Sequence, residues 1–457
     1  MKREHQKTKD TFVVGNRSEA STSACKGSMR EVARIPTKRP NFNINLMKEV
    51  LAKANLLRAL KRVAGNKGSP GIDGMTVDEL PAYLKSNWNE IKLKLESGKY
   101  LPAPVKRVEI PKPGNKREKR LLGIPTVLDR FIQQALLQVL QEGYDPTFSQ
   151  SSYGFRPRRS AHQAILMAQK IQKEGNQIVI DIDLEKFFDK VHHDKLMGKL
   201  AKDIKDKSVL KLIRSYLNAG IMSNGIVSTP KQGTPQGGPL SPLLSNIVLD
   251  DLDKELEKRG HKFVRYADDC NIYVKSMRAG KRVFKSVCQF IDNELKLSVN
   301  KKKSAVDYPS NRKFLGYTFT DSQKIEIAKE SIVKFKNKIR KITSGNRRVS
   351  FKQVLKELNR STMGWKNYFI LVEHHPPFES LDGWIRRRLR CLIWQEWKGF
   401  KTRYNRLMRF GVNERLAKNT ASSGKGEWRM SASPALQKAF GVKFFDKAGL
   451  KRLHVKI

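Results

Sequence analysis

Cysteine is scarce in this 457-residue chain. Cys25, Cys270, Cys288 and Cys391 lie far apart and form no C-x-x-C pair. That excludes the usual zinc-ribbon spacing and any disulfide framework, and it fits a reducing compartment. Long apolar runs are missing as well. No stretch approaches the ~18–20 residues of a membrane span, so no membrane partner is expected. Met1 to Arg30 is polar and basic, holds Glu4, Asp10 and Glu19, and lacks an apolar h-region. It reads neither as a secretory signal nor, with those acids, as a transit peptide, so the expected compartment is the cytoplasm. No internal repeat at solenoid periods is visible.

Negative charge is the other shortage. There are 44 Asp+Glu against 91 Lys+Arg, a net charge of +47 and a pI near 10.2. A merely solubilising surface needs no such excess. A field of this sign and size favours an extended polyanion, because each neutralised phosphate releases condensed counterions. Nucleic acid is the partner class this composition selects.

What is present is enough for two or three domains, each with its own core. Residues 1–40 read as a flexible basic arm with few large apolar anchors. Leu46, Val50, Leu51, Leu57 and Leu60 recur at helical spacing, and a turn-rich GNKGSPGIDGMT follows. Helices are expected around Val77–Leu95, Asp129–Leu140, Ala161–Ile171 and Pro239–Leu256. The segment KRVEIPKPGNKREKRLLGIP reads as two strands joined by a basic hairpin loop. Ile178–Ile182 is a short run rich in β-branched residues, hence a buried strand, and Lys262–Lys275 a hairpin. After Phe319 the chain turns helix-rich and strongly basic. Thr420–Glu427 reads as a linker to a small basic C-terminal segment.

The chemistry concentrates in VRYADDCNIYV. Two strands flank adjacent carboxylates, Asp268 and Asp269, with no basic neighbour in sequence. Such a pair repels unless a cation sits between its members, although an isolated A-D-D is also ordinary turn chemistry. A second acidic strand end weighs against the ordinary reading: QIVIDIDLEKFFDKV runs an apolar strand into Asp181 and Asp183. Carboxylates facing each other across a strand end and a hairpin tip suit two Mg²⁺ ions. Such ions clamp the attacking hydroxyl, the scissile phosphate and the leaving pyrophosphate. Phosphoryl transfer needs mainly positioning and charge neutralisation.

Tyr266-Ala267-Asp268-Asp269 resembles the Y-x-D-D signature of reverse transcriptases. The block QGTPQGGPLSPLLSNIVLDDLD is similar to that family's primer- and nucleotide-gripping motif. SYGFRPRRSAHQAI and KRLLGIPTVLDR resemble the finger motifs of its group II intron and retron branch. The resemblance runs from about Asn66 to Thr318. It implies an α+β, right-hand polymerase fold over residues 41–320, with fingers and palm on antiparallel sheet. It further implies an RNA-directed DNA polymerase that takes dNTPs on an RNA template with a DNA primer.

Carried over by position, Asp183, Asp268 and Asp269 become the catalytic, metal-binding triad, with the Leu184 carbonyl as a backbone ligand to Mg²⁺. Asp181 competes for the first place. Asp183 is preferred because it sets Phe188 at the family's spacing for the residue beneath the sugar, where an aromatic excludes a 2′-hydroxyl. A core aromatic is the alternative for Phe188. Asp189 suits a polar contact. Lys112 and Arg120 match the basic pair on the incoming triphosphate, with Lys116 or Lys119 as alternatives for the lysine. Gln236 resembles the residue contacting the nucleotide, and Gly237 and Gly238 would let backbone approach the primer. Lys303 matches a lysine near the pyrophosphate, with a solvated surface lysine as the alternative. Lys313–Tyr317 resembles the primer-grip hairpin.

Beyond the polymerase blocks, FKQVLKELNRSTMGWKNYF and LDGWIRRRLRCLIWQEWK resemble the maturase domain of group II intron proteins, which doubles as the thumb (residues 321–420). Arg386, Arg387, Arg388 and Arg390 make a cationic strip suited to structured RNA, while the apolar residues fit a helical bundle equally. The resemblance implies group II intron RNA as partner, assistance to splicing and mobility, and target DNA. The alternative is a splicing maturase without polymerase activity. An RNA-templated RNA polymerase fits the acids but not Phe188 or the maturase segment. Within the C-terminal segment (residues 421–457), Gly424 to Ile457 contains no cysteine and one histidine, His454, so the family's His-Asn-His endonuclease module is not expected there.

Overall fold

Residues 178–182 alternate between two apolar environments, and that alternation organises the molecule. Ile178, Ile180 and Ile182 bury into one core with Phe263, Ile272 and Val274, while Val179 turns to a second core with Val264 and Tyr273. A strand coated on both faces reads as a continuous apolar run, which is how this one reads. The computed structural model describes Pro40 to His454, apart from residues 41, 43, 113–114, 186, 224–225, 229–232, 234–236, 346, 348 and 374–375. For residues 112, 115–121, 221, 223, 226–228 and 376 it describes backbone alone. The expected basic arm, Pro40 excepted, falls outside the described residues.

Among the described residues, two four-stranded sheets and a two-stranded ribbon make up the β structure. The first sheet has the order β2-β1-β4-β5, with β1 Val105–Lys112, β2 Asn115–Ile124, β4 Ile221–Ser223 and β5 Ile226–Ser228. The second has the order β6-β7-β3-β8, with β3 Ile178–Ile182, β6 Lys262–Tyr266, β7 Asp269–Val274 and β8 Ala305–Asp307. β9 Tyr317–Phe319 pairs with β10 Ile325–Ile327. All pairs are antiparallel except β1 with β4. The expected α+β class agrees with this mixture.

The helices expected from the sequence form within a few residues of their bounds, and helices His193–Asp203, Lys207–Leu217 and Met277–Asn293 join them without having been singled out. Side-chain caps fix several of the starts. Thr126 accepts from the Asp129 N–H at the start of Val127–Tyr144, and Ser160 with Gln163 forms a capping box at the start of Ala161–Lys173. The helical pattern from Leu46 breaks into Leu46–Val50 and Lys53–Gly65. Phe131, Leu136 and Leu140 of Val127–Tyr144 and Leu244, Leu249 and Leu256 of Ser241–Lys258 fill the first core. Each buried apolar side chain of this size contributes about 1.5–3 kcal/mol of transfer free energy.

The second core takes Phe335, Leu358, Leu389 and Trp394 from helices Lys329–Ile342, Phe351–Tyr368 and Pro376–Glu396. It also takes Leu436, Phe440, Phe445 and Leu453 from beyond residue 421. Here the structure corrects the sequence. The last described residues are not a separate basic tail, because their short helices bury into the same core. Asp382 accepts the backbone N–H groups of Leu453 and His454, both at 2.9 Å. No described helix is long and apolar enough to cross a membrane.

Candidate active site

Period-two alternation puts Asp181 and Asp183 on the face of β3 that carries Val179, the face toward the second core. Asn271 lies opposite Asp181, and Tyr266 opposite Asp269, so this face also carries Asp269. Ala267 and Asp268 form the two-residue tip between β6 and β7. The four acids therefore gather where β3 ends and the hairpin turns, as their spacing predicts. Among the described residues, no three His, Cys, Asp or Glu side chains converge tightly enough to hold an ion as they stand.

Electrostatics separates the four acids. Asp181 is paired with Arg312, through Nε at 3.1 Å and Nη2 at 2.5 Å. Even so, burial lifts its carboxyl above the usual range, against the pull of Arg312. Asp183 meets Lys303 Nζ at 3.3 Å, and that lysine is largely exposed. Its N–H donates to Ser304 Oγ at 2.9 Å, and its carbonyl accepts from the Asn300 N–H at 2.8 Å. Leu184 forms a bridge with Val299. The segment 183–184 is thus pinned by the turn that carries Lys303. Asp269 is open to solvent on one side. Surrounding protein and the charges of Asp268, Asp181 and Asp183 nevertheless push its carboxyl up to about 7.

Phe188 lies half-buried in the short helix Phe187–Lys190, its ring 5.3 Å from that of Phe187 and packed against the first core. Gly233, in the Gly/Pro loop, donates its N–H to the Val191 carbonyl, and a Cβ there would stand 2.9 Å from the Asp189 carbonyl oxygen. That loop therefore runs beside the Phe188 helix. Gln236 lies outside the described residues, and so do the side chains of Lys112, Lys116, Lys119 and Arg120. Their backbone sits on β1 and β2, with Arg120 opposite Ile110. Gly237 has φ 128°, and a Cβ on it would stand 2.2 Å from the Gly123 carbonyl. At Gly238 a Cβ would meet Gln133 Oε1 at 2.4 Å. Backbone crowding therefore requires glycine at 237, whereas at 238 only the Gln133 amide would have to move.

The segment 313–317 forms the expected hairpin. Phe314 and Tyr317 exchange backbone bonds of 2.9 and 3.0 Å around Leu315 (φ 52°) and Gly316 (φ 84°). Tyr368 clamps its tip by donating to the Leu315 carbonyl at 2.8 Å.

The four-arginine strip is tied into the fold more than its sequence suggests. Arg388 donates to Thr343 Oγ1 and to the Thr343 carbonyl, both at 3.0 Å. Arg390 donates to the Ser431 and Phe440 carbonyls at 2.7 and 3.3 Å. Arg387 lies over the Trp428 ring at 4.0 Å and donates to the Trp428 carbonyl. These guanidiniums satisfy carbonyls left over at loop and helix ends, a tertiary role that a row of arginines in sequence does not announce. Sequence reading also missed Arg265, Asp253 and Asn246, buried behind the acidic turn.

Residues 110–319 match the reverse transcriptase (RNA-dependent DNA polymerase) family, and residues 332–411 match the group II intron maturase-specific domain. The chain is 30% identical over 320 residues to Protein YkfC of Escherichia coli, covering 61% of this chain and 84% of that protein. It is 30% identical over 352 residues to the group II intron-encoded protein LtrA of Lactococcus lactis subsp. cremoris. The chain belongs to the group II intron-encoded reverse transcriptase and maturase family. This member spans 57% of the length of LtrA, with 62% of its own chain aligned. Among solved structures, one titled a partial Cas6-RT-Cas1--Cas2 complex aligns with TM-score 0.36 and 27% identity. It covers 58% of this chain and 46% of that one. In this reverse transcriptase, the matched maturase segment takes in helices Phe351–Tyr368 and Pro376–Glu396 and most of Lys329–Ile342, all of which contribute to the second core.

Proposed function

We propose that this chain copies RNA into DNA from a primer end, using Asp183, Asp268 and Asp269, and that its basic helical region binds group II intron RNA to assist splicing and mobility. The observation that carries the reading is the set of carboxylates gathered where β3 ends and the β6–β7 hairpin turns, with Asp269 held up to about 7 by burial and like charges. Such a set is costly unless a cation joins it, and hard oxygen donors fit Mg²⁺. Two Mg²⁺ held by Asp183, Asp268, Asp269 and the Leu184 carbonyl would stabilise the charge that develops on the reacting oxygens.

The chain's own groups then position the reactants. In this reading the β6-β7-β3-β8 sheet is the palm, β1 and β2 belong to the fingers, and the helices from Lys329 onward form the thumb. Lys112 and Arg120 hold the triphosphate of the dNTP, with Gln236 at its sugar and base. Phe188 closes the space a 2′-hydroxyl would need. Lys303, 3.3 Å from Asp183, donates a proton to the leaving pyrophosphate in this reading. RNA template, DNA primer and target DNA are the substrates. The net charge of +47 supplies the long-range attraction they share. Arg386, with whatever donors Arg387, Arg388 and Arg390 leave over, faces the intron RNA.

Primer extension on an RNA template tests this. Asp268→Asn with Asp269→Asn should abolish DNA synthesis and leave RNA affinity within about threefold, because the basic surface and not the acids carries that affinity. Substantial residual synthesis by the double variant would remove the acids from catalysis.

A further inference from the structure

Behind the acidic turn lies a charged cluster with no access to solvent. Arg265 and Asp253 are both 0% exposed, and Asn246 is buried beside them. Arg265 donates Nε to Asp253 Oδ1 at 2.7 Å and Nη2 to Oδ2 at 2.5 Å, a bidentate pair. Its Nη1 serves two acceptors, Asn246 Oδ1 at 3.0 Å and the Ala267 carbonyl at 2.9 Å. Asn246 in turn donates Nδ2 to the Gly154 carbonyl at 2.9 Å. Gly154 is pressed against the same turn from the other side, and a Cβ on it would stand 2.2 Å from the Ala267 nitrogen. The backbone of Arg265 exchanges bonds with Ser151 and Tyr153, both at 2.8 Å.

Ala267 sits at the centre of this clamp with φ 57°, a conformation a residue with a Cβ rarely adopts unless its surroundings impose it. Stability alone is a weak account of the pair, since well-packed apolar residues commonly replace a buried ion pair without loss. The fork geometry is the informative part. One planar group reaches the helix Ser241–Lys258 through Asp253 and Asn246, and the turn through Ala267. A lysine ammonium has no such fork.

We propose that Arg265 is the positioning residue of the acidic turn: by holding the Ala267 carbonyl it fixes the backbone that presents Asp268 and Asp269. The inference rests on reading those acids as the metal-binding centre.

Two variants test it. Arg265→Lys keeps the charge opposite Asp253 and loses the fork. Arg265→Met with Asp253→Leu removes both charges together, leaving none unpaired. Each is followed by thermal melting, by titration with Mn²⁺ read from the electron spin resonance of the free ion, and by primer extension. Both variants should melt cooperatively. Mn²⁺ affinity at the site that Asp268→Asn abolishes should weaken about three- to tenfold. The kcat should fall roughly ten- to a hundredfold, with KM for dNTP and RNA affinity within about twofold. A role confined to folding would lower activity with the folded fraction and leave Mn²⁺ affinity at the wild-type value. Wild-type Mn²⁺ affinity in the folded variants, or loss of folding in both, overturns the positioning role and leaves the metal-site reading standing. If wild-type Mn²⁺ binding ignores Asp268→Asn, the metal-site reading fails and this inference falls with it.

Discussion

Arg312 grips Asp181 through both Nε and Nη2, 131 residues away along the chain. Two adjacent acids on one strand face are thereby made unequal: Asp181 carries an internal cation, while Asp183 faces the exposed Lys303. Asp181→Asn should therefore lower kcat only roughly tenfold, against at least about a thousandfold for Asp183→Asn, because only the second removes a ligand. Single-turnover primer extension with both variants decides the order. Equal losses would give Asp181 a direct part in the chemistry.

Phe188 is half-buried, so its loss should leave folding largely intact. Phe188→Val should relax discrimination against ribonucleotides by about 1–3 kcal/mol in relative kcat/KM, the worth of one such steric contact. The comparison is dNTP against rNTP incorporation on one template. Unchanged selectivity in a well-folded variant would leave Phe188 as a core aromatic.

The raised carboxyl of Asp269 makes a prediction about stability in chelator. Its pKa in the folded chain, about 7, exceeds the ordinary aspartate value of 3.8. The folded state therefore binds more protons between those values, and the contribution is fully present below pH 3.8 and lost as pH rises through 7. Relative to Asp269→Asn, the wild type should lose stability over that window and level off above it. The effect is reduced by solvent on the open side. Mg²⁺ should restore the difference at pH 8. Parallel pH profiles of the two proteins in EDTA would sink the assignment.

Arg388 and Arg390 should behave as structural residues first. Removing either leaves carbonyls around Thr343, or around Ser431 and Phe440, without their donor, at a cost of about 1–3 kcal/mol each. Denaturant melts measure that. Arg386→Gln is expected instead to leave stability unchanged and to flatten the slope of log affinity for intron RNA against log salt by up to about one unit. If Arg388→Ala flattens the slope and leaves stability alone, the two roles are reversed.

By itself the sequence determined the local elements and the chemistry they carry. The run Ile178–Ile182, the hairpin around Asp268 and Asp269 and the helix starts at Thr126 and Ser160 are fixed by alternation, turn residues and caps. All of these act within a few residues. The motif blocks and the excess of base over acid gave the family and the polyanionic partner in the same way. Tertiary structure alone decided which partners these side chains meet. Periodicity says which face is buried, not what lies against it. Arg312 was one basic residue among 91 Lys+Arg until the fold set it on Asp181. Arg265 was an ordinary strand residue until the helix Ser241–Lys258 closed Asp253 and Asn246 over it. Arg388 and Arg390 were a free-looking strip until loop carbonyls reached them. The C-terminal helices, too short to announce a core, were buried only because Leu436, Phe440 and Phe445 found apolar surface already assembled by residues far earlier in the chain.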